Sequence, residues 1–298
     1  MLYPLIFKPI VKKMIWGSES WIVSCRPQEM SVIDNGSCVG ETFESYILRD
    51  KAAVLGSSFA DCARFPLLIK IIRADDALSV QVHPDDAYAA QFGGEFDSGK
   101  NEMWYVLTPP HDGNLIIGLK PGTTREAMEK ALKNETAENC LNRLPVKSGD
   151  MINIPAGLVH ALTPGAVIAE VQQNSDITYR LYDYGRVGPD GKPRPLHISD
   201  ALNVINFEGG DYPVSRSAVV SNYFNVTKHE LTHTVHEKSD PSAFHILTCV
   251  EGNMTISAAA ETVALSIGDT AFIPAALGGY TMTPLDDFAI FTKTLALM

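Results

Sequence analysis

Apolar positions along this chain come in short, β-branched runs broken by Gly, Pro and Asp. FPLLIKIIRA (65–74), LSVQVH (78–83), EMWYVL (102–107), NLIIGL (114–119), DMINIP (150–155) and AVIAEVQQ (166–173) set the pattern. Runs of this length and spacing predict an antiparallel sandwich or barrel rather than βαβ units. Helical periodicity is confined to three stretches. TTREAMEKALKNETAENCLNRL (123–144) combines good helix formers with apolar residues at helical spacing, and Thr123 or Thr124 is the candidate N-cap. PDDAYAAQF (84–92) predicts a short helix with Pro84 in its first turn, and HISDALNVINF (197–207) predicts a third.

The strand pattern repeats. GDMINIPAGLVHAL (149–162) and GDTAFIPAALGGYTM (268–282) share Gly-Asp and then Ile-Pro-Ala at the same internal spacing, an offset of 119 residues. Upstream, WYVLT (104–108) and FHILT (244–248) match in type at an offset of 140. The difference of 21 residues is close to the length of the helical stretch 123–144. Two copies of one β unit, the first with a helical insertion near 123–145, account for this more simply than chance Gly-Asp turns. The Gly, Asp and Pro of FEGGDYP (207–213) mark the junction, so the expected domains are 1–210 and 211–298.

Composition removes whole classes of function. With 35 acidic against 24 basic residues the net charge is −11, a surface that repels phosphate backbones and argues against nucleic-acid binding. An anionic substrate then needs a local basic pocket. Five scattered cysteines (Cys25, Cys38, Cys62, Cys140, Cys249), none in a C-x-x-C pair, argue against disulfides and thiolate zinc sites. The first residues, MLYPLIFKPIVKKMIWG, lack the apolar region and cleavage site of a signal peptide, and no stretch reaches the length of a membrane span. A cytoplasmic protein without a membrane partner is expected.

Candidate chemistry gathers in the first unit. Gln81 and His83, two apart on a strand, point to one face. Glu102 opens the next strong strand, and His160 closes IPAGLVH where a strand leaves a turn. Two His and one carboxylate at strand ends suit a borderline divalent metal, with Gln81 as a fourth, neutral oxygen donor. Singly, each is more often a satisfied or surface residue; together they follow the ligand layout of a cupin barrel. In the second copy Gly279 falls on the position of His160 and Ser242 on that of Glu102, so that unit is expected to have the strands without the ligands. The histidines of 229–236 read as part of a polar strand.

These residues resemble one family. PLIFKPIVKKMIWG, GETFES, FPLLIKIIRADDALSVQVHPDD, KNEMWYVL, IPAGLVHAL, EVQQNSDITYRLYDYGR and PLHISDALNVINF are together similar to the type I mannose-6-phosphate isomerases, in their short bacterial form, over most of the chain. The resemblance implies a mainly β protein of two cupin-type, jelly-roll barrels, the second degenerate. It implies one Zn²⁺ per chain on Gln81, His83, Glu102 and His160. It places a catalytic arginine on Arg180, an acidic residue near the sugar on Glu170, a lysine beside the metal on Lys100, and phosphate-holding positions on Lys70 and Ser79. The stretch around Arg180, SDITYRLYDYGR, departs from that of the longer enzymes.

The implied reaction interconverts mannose 6-phosphate and fructose 6-phosphate through a cis-enediol, in a monomer or weak homodimer whose partner is a small sugar phosphate. Proton carriers at C1 and C2 are open among Glu170, Lys100, a metal-bound water and a free imidazole. Arg180 either grips phosphate or stabilises the enediolate. Two other readings fit the residues: a non-catalytic bicupin that binds a sugar phosphate, and a non-haem Fe(II) oxygenase, against which Gln81 argues by filling a coordination position. Without the resemblance, Arg180 between Tyr179 and Leu181 reads equally well as a snorkelling side chain, Lys100 as a solvated loop lysine, and Glu170 as solvent-facing.

Overall fold

Gly-Asp turns place the strands of both halves. Gly149 and Gly268 take φ of 84° and 90°, a region that suits glycine. The aspartate that follows each closes the turn, Asp150 accepting from the Lys147 N–H and Asp269 from the Ser266 N–H, both at 2.9 Å. Each turn then delivers a strand, Met151–Ile154 or Thr270–Ile273, to an antiparallel partner. The computed structural model describes all residues except 1, 93–97, 189–190, 211 and 260, together with the side chain of 92. Residue 211 of the expected junction thus lies outside the described residues.

The chain forms two compact units, one of 12–19 and 72–215 (the central unit) and one of 1–11, 20–71 and 216–298 (the C-terminal unit). In the central unit one sheet has the order Leu141–Pro145, Asn114–Leu119, His160–Ala161, Val80–Val82, Tyr179–Tyr182. The other runs Val214–Ser215, Met151–Ile154, Glu102–Thr108, Val167–Gln173 and then Leu67–Ala74, which belongs to this unit from Ile72 onward. Residues two apart on both sheets (Trp104 and Val106, Leu115 and Ile117, Ile152 and Ile154) meet in one buried core. The outer face of the first sheet, with Val80, Val82, Ile116 and Leu181, is covered by Met128 of helix Arg125–Lys133 and by Ala201 and Leu202 of helix Ile198–Val204.

The C-terminal unit repeats the plan. Thr270–Ile273, His245–Glu251, Ala289–Ala296 and Phe224–Leu231 follow the order of Met151–Ile154, Glu102–Thr108, Val167–Gln173 and Leu67–Ala74. Glu261–Leu265, Met254–Ala258, Gly279–Pro284 and Val235–Lys238 follow the first four strands of the other sheet. Both units are pairs of open sheets; among the described residues no sheet closes on itself. No helix among the described residues is long and apolar enough to cross a membrane.

Several expectations shift. Helix 123–144 stops at Lys133, where Asn134 caps it and Glu135 takes a φ of 58°. Leu141–Pro145 is an edge strand instead, its Leu144 and Leu141 opposite Leu115 and Leu119, because leucines three apart satisfy a bulged ladder as well as a helix. Thr124 is the N-cap, accepting from the Ala127 N–H. Pro84 precedes the cap, which is Asp85, of helix Asp86–Ala89. Of the 229–236 histidines, His229 and His236 lie on two different strands, Phe224–Leu231 and Val235–Lys238, and His233 in the bend between them.

The repeat offset of the upstream strand is 143 residues rather than 140. Met151 pairs with Tyr105 and Thr270 with Thr248; Val106 and Cys249 each accept from the turn glycine and donate to the turn aspartate. His245, not Ser242, therefore takes the place of Glu102. An odd shift moves every residue to the opposite face. The sequence boundary at 210/211 lies close to the crossing between units at 215/216, but residues 1–11 and 20–71 join the C-terminal unit. There Phe43 and Phe65 stand at centroid distances of 5.0 and 5.1 Å from Phe272 and Phe244.

Gly17 tests the packing of the central unit. It has φ +145°, and a Cβ there would lie 2.1 Å from the Arg73 carbonyl oxygen, beside the carbonyl of Trp16 that receives the N–H groups of Asp75 and Asp76. Gly17→Ala is expected to lower unfolding free energy by about 2–4 kcal/mol in chemical denaturation. An unchanged midpoint would refute this account of the turn.

Candidate metal centre

Antiparallel register assembles the site from five strands of the central unit. Arg180 lies opposite Gln81, and Gln81 opposite His160, so these three share one face across three strands. On the facing sheet Glu102 lies opposite Gln172, and Trp104 opposite Glu170. His83 follows Gln81 by two residues, just past its strand. The ligand atoms of His83, Glu102 and His160 all lie within 4.8 Å of one another, and all three residues are buried.

The imidazoles are held in one tautomer. His83 Nδ1 is 2.8 Å from the Ile177 carbonyl and His160 Nδ1 is 2.8 Å from the Leu158 carbonyl. A carbonyl only accepts, so each Nδ1 carries the proton and each neutral ring turns a lone pair outward from Nε2. Those Nε2 atoms lie 3.3 Å from Glu102 Oε1 and 3.7 Å from Oε2. Burial, helped by the Lys100 charge, pushes the His83 pKa down to about 3, and burial lowers that of His160. Burial alone would raise the Glu102 carboxyl, but Lys100, with Nζ 2.6 Å from Oε1, and the two histidines bring it well below the usual carboxylate range. Neither Glu102 oxygen receives a hydrogen bond of good geometry. Two neutral nitrogens and an ionised carboxylate converging at this spacing fit a borderline divalent cation. The Gln81 amide borders the group, with its Nε2 3.2 Å from His160 Nε2.

The other candidates are placed as follows. Lys100 is buried, between Glu102 Oε1 and His83 Nε2. Glu170 is buried and accepts from Trp104 Nε1–H at 2.8 Å, so it does not face solvent. Arg180 is half-buried, and burial and then the neighbouring Arg194 lower its pKa. Ser79 is buried immediately before strand Val80–Val82. Lys70 belongs to the C-terminal unit, where its Nζ stands 5.0 Å from the ring centroid of Trp21.

Residues not singled out from the sequence also build the site. Trp104, two positions after Glu102 on the same face, holds Glu170 and packs edge-on against His160 at 5.3 Å. Its spacing was a usable signal. Asp183 receives Arg194 at 2.6 and 2.8 Å and Arg186 at 2.5 Å; burial opposes its ionisation, and these hydrogen bonds outweigh it. No local pattern announces that arrangement.

In the C-terminal unit the matching position is occupied differently. His245 Nδ1 lies 3.2 Å from the Tyr280 hydroxyl, which donates to Glu237 Oε2 at 2.8 Å, and Lys293 donates to the same oxygen at 2.8 Å. Lys293 stands in register opposite Leu247, as Glu170 does opposite Trp104. Among the described residues only the His83, Glu102 and His160 group has metal-ligand geometry.

Lys100 balances the buried carboxylate when no cation does. Metal-free Lys100→Met is expected to lose about 3–5 kcal/mol of stability, because Glu102 is left as an unpaired buried charge. Added divalent zinc should then raise Tm more in the variant than in the unsubstituted protein. A loss below about 1 kcal/mol would show that Glu102 is compensated elsewhere.

Comparisons with known proteins agree with this geometry. Residues 7–127 match the family model for the phosphomannose isomerase type I catalytic domain, and residues 215–284 that for the mannose-6-phosphate isomerase cupin domain. The chain is 33% identical to a mannose-6-phosphate isomerase of Bacillus subtilis, across 94% of this chain and 95% of that protein. It is 31% identical to the mannose-6-phosphate isomerase of Streptococcus mutans, across 92% and 93%. The crystal structure of a mannose 6-phosphate isomerase from Bacillus subtilis superposes with a TM-score of 0.85 at 27% identity, covering 98% of this chain and 99% of that one. With its mainly β, cupin-family fold, this chain belongs to the type I mannose-6-phosphate isomerase family of enzymes.

Proposed function

We propose that the protein is a zinc-dependent aldose–ketose isomerase that interconverts mannose 6-phosphate and fructose 6-phosphate through a cis-enediol. The observation that carries this is the pair of neutral imidazoles, each tied through Nδ1 to a carbonyl, aimed with the Glu102 carboxylate at one point in a family of isomerases. His83, His160, Glu102 and Gln81 hold one Zn²⁺ per chain. When bound, the ion supplies fixed positive charge to the oxygens on C1 and C2 as negative charge develops there.

The residues divide the remaining work. Glu170, with Oε2 held by the Trp104 indole, carries the proton between C2 and C1. Lys100 keeps Glu102 ionised and adds positive charge next to the reacting oxygens. Arg180 stabilises the enediolate as a planar cation. Ser79, buried immediately before strand Val80–Val82, holds the phosphate. The two units are a catalytic cupin-type barrel and a degenerate one whose Glu237 carboxylate is engaged by Tyr280 and Lys293 and where, among the described residues, no ligand group converges. The oxygenase and binding-module readings do not share the support of relatives that are isomerases over nearly their whole length.

Metal content and turnover test the proposal together. Purified protein should carry one zinc per chain, lose isomerisation of mannose 6-phosphate on chelation, and regain it with zinc. His83→Ala and His160→Ala should abolish both metal and activity. Full turnover by metal-free protein would sink the reading, and two metals per chain would refute the assignment of the C-terminal unit. Arg180→Lys should lower kcat by about 10²-fold, the scale of one lost oxyanion donor; a raised KM at constant kcat would make Arg180 a phosphate grip instead.

A further inference from the structure

Arg180 sits on strand Tyr179–Tyr182, at the edge of its five-stranded sheet. An edge strand has backbone groups that no neighbouring strand satisfies. At Arg180 a histidine takes both. The Arg180 N–H donates to His197 Nδ1 at 3.2 Å, and the His197 N–H donates to the Arg180 carbonyl at 2.8 Å. The first of these bonds uses Nδ1 as its acceptor.

The same short segment also reaches the side chain. Arg180 Nη1 donates to the Pro195 carbonyl at 2.8 Å, while its Nε is buried and makes no hydrogen bond among the described residues. The segment 195–197 thus grips Arg180 at its N–H, its carbonyl and one arm of its guanidinium. Both ends of the segment are anchored. Arg194 is clamped by Asp183 at 2.6 and 2.8 Å, and helix Ile198–Val204, which begins at His197, buries Ala201 and Leu202 against the outer face of the sheet. The Tyr179 ring packs edge-on against His197 at 6.3 Å and limits its rotation.

We propose that His197 is a positioning residue for Arg180. Its Nδ1 acceptor fixes the edge of the strand at the residue that stands in line with Gln81 and His160, and with it the direction of the guanidinium. Among the described residues His197 makes no hydrogen bond to His83, Glu102 or His160. The proposal rests on the reading that Arg180 acts in turnover. A reactive cation displaced by about 1 Å loses on the order of 10- to 100-fold in rate, while substrate affinity, set by other contacts, changes little.

Steady-state kinetics of the zinc-loaded enzyme with mannose 6-phosphate test it, with thermal unfolding of each variant as a fold control. His197→Ala should lower kcat about 10-fold and leave KM within about 2-fold. His197→Asn, whose Oδ1 can accept the same N–H, should recover kcat to within about 3-fold of the starting enzyme. Arg180→Ala combined with His197→Ala should be no slower than Arg180→Ala alone, because the histidine then has nothing left to position. Unchanged kcat in a folded His197→Ala protein, additive losses in the double variant, or failure of Asn to rescue would each overturn the proposal. Unchanged kinetics in Arg180→Ala would instead overturn the role given to Arg180, and the positioning role with it. If His197→Ala does not fold, His197→Leu, which fills the space without an acceptor, takes its place under the same criteria.

Discussion

A fully buried, ionised carboxylate governs the central unit. Glu102 has no solvent exposure, and an uncompensated charge in such a place costs several kcal/mol. Its surroundings are arranged around that cost. Lys100 supplies an opposite charge at 2.6 Å, and two histidines are kept neutral by burial and lone-pair-first by the carbonyls behind them. The same features that make the carboxylate tolerable without a metal make the group a good receiver of one. A cation of charge two satisfies Glu102 better than a lysine can and finds both imidazoles already turned.

The C-terminal unit shows the same strands under the opposite constraint. His245 stands where Glu102 would be and Lys293 where Glu170 would be, and the Tyr280 hydroxyl links His245 to Glu237. Burial, followed by the Lys293 charge, pushes the His245 pKa down to about 4, so this imidazole too is neutral. Its Nδ1–H is held by an oxygen, as in His83 and His160, but the nearby carboxylate is engaged by Lys293 and Tyr280 and, among the described residues, no second imidazole converges with it. One unit brings two imidazoles and a carboxylate to a common point; the other does not. Reactivity follows from which polar atoms are left open, since the strand order is shared.

Arg180 adds a further layer, because the guanidinium stands on an edge strand. A central strand would hold its backbone through two ladders, whereas here one ladder is replaced by the ring nitrogen and the backbone N–H of His197. Around it Asp183 gathers Arg186 and Arg194, so that one carboxylate sets the position of two cations in a protein whose overall charge is negative.

The amino-acid sequence by itself determined the strand-rich architecture, the duplication and the three residues, His83, Glu102 and His160, that the structure brings together. Alternation with period two is a property of near neighbours, so Gln81 and His83 had to share a face whatever surrounded them, and ligands at strand ends kept their meaning. The turn chemistry of Gly149 and Gly268 was equally local. Tertiary structure alone decided what depends on pairing across the sheet and on shape. An apolar five-residue run fits its partner at 140 or 143 residues' offset equally well as a pattern, and only the backbone ladder selected His245 over Ser242. Leucines at 141 and 144 read as helix until an open sheet edge claimed them. Phenylalanines at 43 and 65 joined 20–71 to 216–298 because large rings fill volume wherever a core offers it, with no trace in sequence order. The partners of Arg180, and Arg194 beside Asp183, were hidden for the same reason: a hydrogen bond between residues many positions apart is set by where the chain returns.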